Sequence, residues 1–226
     1  MFQRIAKDAQ ARMKEFEREA KLYTDVPCWF ETRMGLAADV IVRKAQSIRA
    51  DLIVIGTRTT DTNSVVGNIL GGITTAVIEQ QVCAVMAIPI TADVNTFGGT
   101  IVFGADYLEI RNPQTLHPLM DIAKAFDASI HILNANPVPE NLEADEPGEE
   151  QLERLLDGYK VCFDYSDEAD VEHALQHCVA EENASLLVMI ARQRGLWQGL
   201  FHQSHTRRMA LHTQVPLLVL VLPDLL

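Results

Sequence analysis

Basic residues are scarce in this chain: 19 Lys and Arg stand against 31 Asp and Glu, a formal charge of −12 over 226 residues. That balance argues against sequence-independent nucleic-acid binding, which depends on neutralising phosphates. Long apolar runs are missing too. No stretch reaches the ~18 residues that a membrane helix needs, and residues 1–23 are charged throughout, unlike a secretory start. Cysteines number only four (Cys28, Cys83, Cys162, Cys178), with no CxxC pair. Three of them lie in apolar stretches and read as buried thiols, so a reduced, cytoplasmic compartment is expected. Hydrolase signatures are absent as well. There is no G-x-S-x-G elbow and no ordered Ser/Asp/His set, and Ser64 and Ser204 read as polar-loop residues.

What the chain does have is a repeat. Ala50-Asp51-Leu52-Ile53-Val54-Ile55-Gly56-Thr57-Arg58 returns 134 positions later as Ala184-Ser185-Leu186-Leu187-Val188-Met189-Ile190-Ala191-Arg192. At the same offset Cys83–Pro89 returns as Leu217–Pro223, Cys28 falls on Cys162 and Trp29 on Phe163. A constant offset across separate segments implies two tandem copies of one unit. The expected domains are residues 1–92 and 98–226. The second copy has a preamble, about residues 98–157, that the first does not.

Helical periodicity is expected at 2–22, where Phe2, Ile5, Ala9, Met13, Phe16 and Ala20 form a stripe, and from Gly35 to Arg49. Val26–Thr32 is short, aromatic and β-prone and reads as a strand; Asp51–Ile55 and 83–88 read as strands around a helix at 71–81. In copy two the expected strands are 100–104, 129–133, 160–165, 185–190 and 217–222. Helices are expected near 113–126, 149–157, 169–183 and 205–213, with an acidic loop at 137–150. Alternating strands and helices give an α/β fold with a parallel sheet.

At this point the residues resemble a known family. Asp51–Arg58, a glycine-bearing loop, Ile69-Leu70-Gly71-Gly72-Ile73-Thr74 and a strand ending in proline resemble the C-terminal half of a universal stress protein domain. Ile101-Val102-Phe103-Gly104-Ala105-Asp106-Tyr107 resembles that family's first strand with its aspartate. The resemblance implies two tandem Rossmann-like parallel-sheet domains, with strand order 3-2-1-4-5 in the complete copy. Copy one would lack strand one, helix one and strand two, and an internal start at Met1, with the missing segment encoded upstream, is one account of that. The resemblance also implies an ATP site in some members, with phosphates on a G-x-x-G-x9-G-[S/T] loop, where glycine N–H groups and a helix N-terminus meet oxygens. Copy one keeps Gly56, but Thr59 stands at the second glycine, Gly56 to Gly71 is 15 positions where the motif has 13, and Gly72 replaces the hydroxyl with Thr74 close by. Copy two has Ile190 at the first glycine and His205-Thr206 at the last pair.

The candidate ligand residues are therefore Gly56, Gly71, Gly72 and Thr74 in copy one, and Asp106, Arg192, His205 and Thr206 in copy two. Asp106 reads either as a ligand group at a strand end or as a cap of the helix after it, and Tyr107 as a cover for a base or for the sheet end. Arg192, Arg194, His202, His205, Arg207, Arg208 and His212 make a cationic patch. It is either surface charge or an anion site replacing the lost glycine cradle. His173 and His177, four apart on a helix, read as a surface pair over a zinc site, since no third and fourth ligand stands at a recognisable spacing. The expected function is a non-enzymatic stress-response binding or regulatory protein with degenerate nucleotide sites for ATP or another phosphate-bearing ligand. Slow ATP hydrolysis and histidine-based metal binding are the alternatives. Partners are expected to exclude nucleic acid and membrane. The copies are expected to form an intramolecular pseudo-dimer in which Cys83–Pro89 and Leu217–Pro223 pair antiparallel, with a homo-oligomer through the incomplete first copy.

Overall fold

The computed structural model describes residues 2–57, 72–93, 97–107, 109–135, 146–168, 170–191 and 215–222. The repeat is legible in it. Copy one contributes helix α1 (Phe2–Ala20), helix α2 (Ala37–Ile48), strand β1 (Leu52–Thr57), helix α3 (Gly72–Glu79) and strand β2 (Ala84–Pro89). Copy two contributes β3 (Thr100–Gly104), a 3-10 turn at Pro113–Leu116 leading into α4 (His117–Ala125), and β4 (Ser129–Asn134). It continues with α5 (Glu146–Leu155), β5 (Val161–Tyr165), α6 (Val171–Glu181), β6 (Leu186–Ala191) and β7 (Leu217–Val221).

All seven strands form one sheet in the order β1-β2-β7-β6-β3-β4-β5. Within copy two this is the doubly wound order with β3 central. The copies join where β2 meets β7 antiparallel, Val85 opposite Val219 and Ala87 opposite Leu217. Both strands are apolar throughout, so each supplies the edge the other needs to satisfy its backbone groups. The remaining neighbours are parallel. One difference between the copies lies outside the sequence offset. Val54 pairs with Met86 in copy one, but Val188 pairs with Leu218, two residues short of the equivalent partner. A slip of two keeps every side chain on its own face, so the core pattern tolerates it.

Each face of the sheet carries a core that draws on both copies. One face packs Val42, Ala45, Ile53, Val77 and Val85 with Val102, Leu175, Leu187 and Val219 under α2, α3 and α6. The other packs Met86 with Ile101, Phe103, Leu119, Ile132, Leu152, Val188 and Leu220 under α4 and α5. Every residue of β6 is buried. At ~1.5–3 kcal/mol per fully buried aliphatic side chain, that strand and its neighbours dominate the stability.

Two expectations about secondary structure change. The strand expected at Val26–Thr32 does not form, and residues 24–36 run without a sheet partner. A strand needs neighbours for its N–H and C=O groups, and among the described residues copy one supplies none on that side of β1. The segment is tied to α2 instead: Arg33 Nε and Lys44 Nζ donate to the Glu31 carboxylate at 2.9 and 2.8 Å. The second change is at the acidic loop, whose last part is helical, because α5 already starts at Glu146 with Pro147 in its first turn. Proline there removes an N–H that would be unsatisfied anyway, and carboxylates favour the positive helix end. The expected helix near 205–213 lies outside the described residues.

Candidate functional site

The candidate site lies at the C-terminal end of the central strand β3, beside β6. The connections leaving β3 and β4 cross one face through α4 and α5, whereas the chain reaches β6 across the other face through α6. β3 and β6 are adjacent and parallel, and α4 and α6 of this copy lie on opposite faces of them; open α/β sheets bind ligands beyond the carboxyl ends of their strands at such a change of face. Asp106 stands there, two residues past the end of β3, half-buried with one carboxylate oxygen shielded from solvent. Asn134, buried at the end of β4, flanks it.

The loop that carries Asp106 is clamped by α5. Gln151 grips the Ile110 backbone at both ends: Ile110 N donates to its Oε1 at 2.8 Å, and its Nε2 donates to Ile110 O at 3.0 Å. Gly148 lies directly on the Tyr107 carbonyl, where no side chain could fit. Tyr107 itself has a left-handed φ of 51° and is 6 % exposed. Its ring packs against Phe163 and Tyr165 with centroids 6.4 and 5.6 Å apart. Burial pushes its phenol up, and the neighbouring Tyr165 and Glu149 add to the rise. Tyr165 in turn donates its hydroxyl to the Glu149 carboxylate. Of the two readings of Tyr107, the geometry favours a cover for the sheet end. Gln151 and Gly148 were not singled out in the sequence. A glycine after a proline in an acidic run looks like loop, and only the tertiary approach of α5 gives it a role.

The remaining candidates are dispersed. Gly56 lies on β1 and Gly72 opens α3; both are exposed, and a Cβ on either would meet nothing within 4 Å. Thr74 is buried in α3 at 3 % exposure. These three belong to copy one and are not brought together with Asp106, because β1 runs opposite to β3 in the shared sheet. Gly71, Arg192, His205 and Thr206, with the rest of the cationic patch, lie outside the described residues. His173 and His177 are exposed and stacked, their rings 6.3 Å apart. His173 pairs with Glu168, which raises its pKa, and His177 faces Glu181 at 3.5 Å. Among the described residues no group of three His, Cys, Asp or Glu could hold a metal ion. The beside-lying Cys178 is buried, and burial pushes its thiol up to about 12. His131 also escaped the sequence reading. It is 9 % exposed on β4 and faces Glu182 at 3.4 Å and Asp164 at 3.7 Å.

Comparison with known proteins agrees with this architecture. Residues 3–89 match the Universal stress protein family, and the chain carries a domain of that family there. The fold is similar to that of a universal stress protein from Archaeoglobus fulgidus DSM 4304, with TM-score 0.61 and 19 % identity over 83 % of this chain and 66 % of that one. It is also similar to a functionally unknown protein from Pseudomonas aeruginosa PAO1, with TM-score 0.64 and 18 % identity over 95 % of this chain and 78 % of that one. The chain thus spans about two thirds of the length of the Archaeoglobus protein. A universal stress protein crystallised in complex with cAMP aligns with 57 % of this chain at TM-score 0.44 and 18 % identity. No curated protein matches the sequence. Among the described residues no helix is long and apolar enough to cross a membrane.

Proposed function

We propose that this protein is a non-enzymatic binding protein of the universal stress type, with a reduced nucleotide site in its second copy. The observation that supports this reading most directly is the position of Asp106, just past the C-terminal end of the central strand β3 and beside β6, where open α/β sheets bind ligands. A phosphate-bearing ligand of the nucleotide kind would place its nucleoside end against Asp106 and Asn134, on a loop that α5 holds rigid. Copy one offers a glycine-bearing helix start at Gly72 and, among the described residues, no counterpart of β3. A carboxylate and a rigid loop can orient a ligand. No nucleophile or general base stands beside Asp106 among the residues named at this site, which is why binding and not turnover is the proposed activity. Four cysteines without a CxxC pair fit a reducing, cytoplasmic setting; the expected burial of three of them does not hold, since only Cys178 is buried, Cys83 is half-buried and Cys28 and Cys162 are exposed.

A titration of the full chain with a fluorescent ATP analogue tests the reading. Weak binding that falls at least tenfold in Asp106→Ala supports it. Binding unchanged by that substitution places the ligand elsewhere, and phosphate release above the buffer rate would make the protein an enzyme.

A further inference from the structure

β1 has the composition of an interior strand and the position of an edge. Its repeat partner β6 is flanked by β3 on one side and β7 on the other. β1 has β2 on one side and, among the described residues, no strand on the other. Val54 is 56 % exposed, whereas the equivalent Val188 is fully buried. The helices show the same deficit. In copy two, Leu175 of α6 packs onto Gly104 of β3, so tightly that a Cβ there would sit 3.0 Å from its methyl group. The equivalent Ile41 of α2 meets no such strand. It lines an open groove of about 450 Å³ with Val40, Ile48, Leu52 and Ile53, rimmed by Glu31, Arg33 and Lys44.

Natural sheet edges are blunted by charge, proline or a bulge. The opposite edge obeys this rule: β5 carries Asp164 within the strand. β1, Leu-Ile-Val-Ile-Gly-Thr, has none of these devices. An open, uncharged apolar edge of this kind pairs with another strand.

We propose that β1 is a dimerisation edge, on which a second copy of this chain lays its own β1 antiparallel about a twofold axis. Two features favour a second copy as the occupant. The chain already joins its halves by antiparallel pairing of equivalent edges, β2 on β7. The groove rim carries both signs of charge, as a self-complementary patch must. The pairing is isologous, so it consumes both open edges and stops at two chains. It brings the two α2 helices together, covering Ile41 and Ile48, and extends one sheet through both protomers. This proposal is independent of any ligand at Asp106.

Light scattering coupled to size-exclusion chromatography on the full chain tests it. The expected mass is twice the chain's 25.2 kDa. Val54→Lys places a charge on the exposed face of the edge, and together with Ile48→Glu it should weaken the dimer at least tenfold with an unchanged circular-dichroism spectrum. Val54→Thr, which keeps β propensity, should leave the dimer intact. A wild-type mass of 25.2 kDa at micromolar to submillimolar concentration overturns the proposal. So does a dimer that survives the double substitution, or one lost instead on adding charge to β5.

Discussion

β1 and β6 descend from the same stretch of sequence pattern and live in different surroundings. Both are continuous apolar runs, as strands covered on both faces of a parallel sheet tend to be. β6 has every residue buried between two strands and under a helix, whereas β1 alternates between buried and exposed positions. The difference lies in what stands beside each strand: β6 has two strand neighbours and β1, among the described residues, has one. Burial in a sheet is a property of the neighbours more than of the strand itself, so the same residues stabilise one copy and leave the other with unpaired edge groups.

The largest effect that tests this comparison is a matched pair of truncations in the Val54→Lys, Ile48→Glu background, which is expected to be monomeric. Leu175→Ala should cost about 2–5 kcal/mol, because the leucine is fully buried against β3. Ile41→Ala, at the equivalent place on α2, should cost less than about 1 kcal/mol, as a half-exposed residue facing an open groove. Equal losses in urea denaturation would mean that the two helices are packed alike.

Next comes the clamp that copy two has and copy one does not. Gln151→Ala removes both bonds to the Ile110 backbone and should cost about 1–3 kcal/mol. It should also weaken any ligand that depends on Asp106 while leaving α2 and β1 untouched, which backbone NMR shifts can check.

Hydrogen exchange then compares the strands directly. Amides of β6 should exchange only through global unfolding at any protein concentration. Those of β1 should exchange ~10-fold or more faster in dilute solution and gain protection as concentration rises. Protection of β1 that is independent of concentration and equal to that of β6 would remove the asymmetry altogether.

The smallest effects are those of pH, and they fall in different pH ranges in the two copies. In copy one, hydrogen bonds from Arg33 and then Lys44 lower the Glu31 carboxyl from 4.5 to about 2. Its contribution is therefore present above pH 4.5 and is lost as pH falls towards 2. In copy two, the hydrogen bond to Glu168 raises His173 above 6.5, so its contribution is complete below 6.5 and fades as pH rises through the folded value. Glu31→Gln should flatten only the acid limb of a stability–pH curve, and His173→Gln only the limb near neutrality. Both groups are exposed, so both slopes should be shallow and reduced by salt.

Much of the fold could be read from residue patterns. The apolar runs at Leu52–Thr57, Ala84–Pro89, Leu186–Ala191 and Leu217–Val221 announced their strands, and the fixed offset announced that they come in pairs. The antiparallel seam followed from two uncharged edges in one chain. Three features were out of reach. Val26–Thr32 has a strand's composition, but pairing is decided by a neighbour that local propensity cannot report. The two-residue slip of β7 against β6 leaves every face unchanged, so the hydrophobic pattern carries no trace of it. Asp106 stands out in the sequence because a carboxylate ending an apolar strand is conspicuous, and its role as a ligand residue is part of the proposal. Gln151, Gly148 and His131 do not stand out, because each acquires its partners from an element distant in sequence.

The two cores described above also settle how this chain should come apart. Each draws side chains from both copies, and the β2–β7 ladder stitches them along the seam. Repeats that touch only through a linker melt one after the other; repeats that share an interior lose it all at once. A protease cut at the joint between Pro89 and Thr100 should therefore release neither piece, since the halves remain held by strand pairing and by common packing. The two repeats are thus expected to unfold as a single cooperative body, distinguishable in the sequence and inseparable in solution.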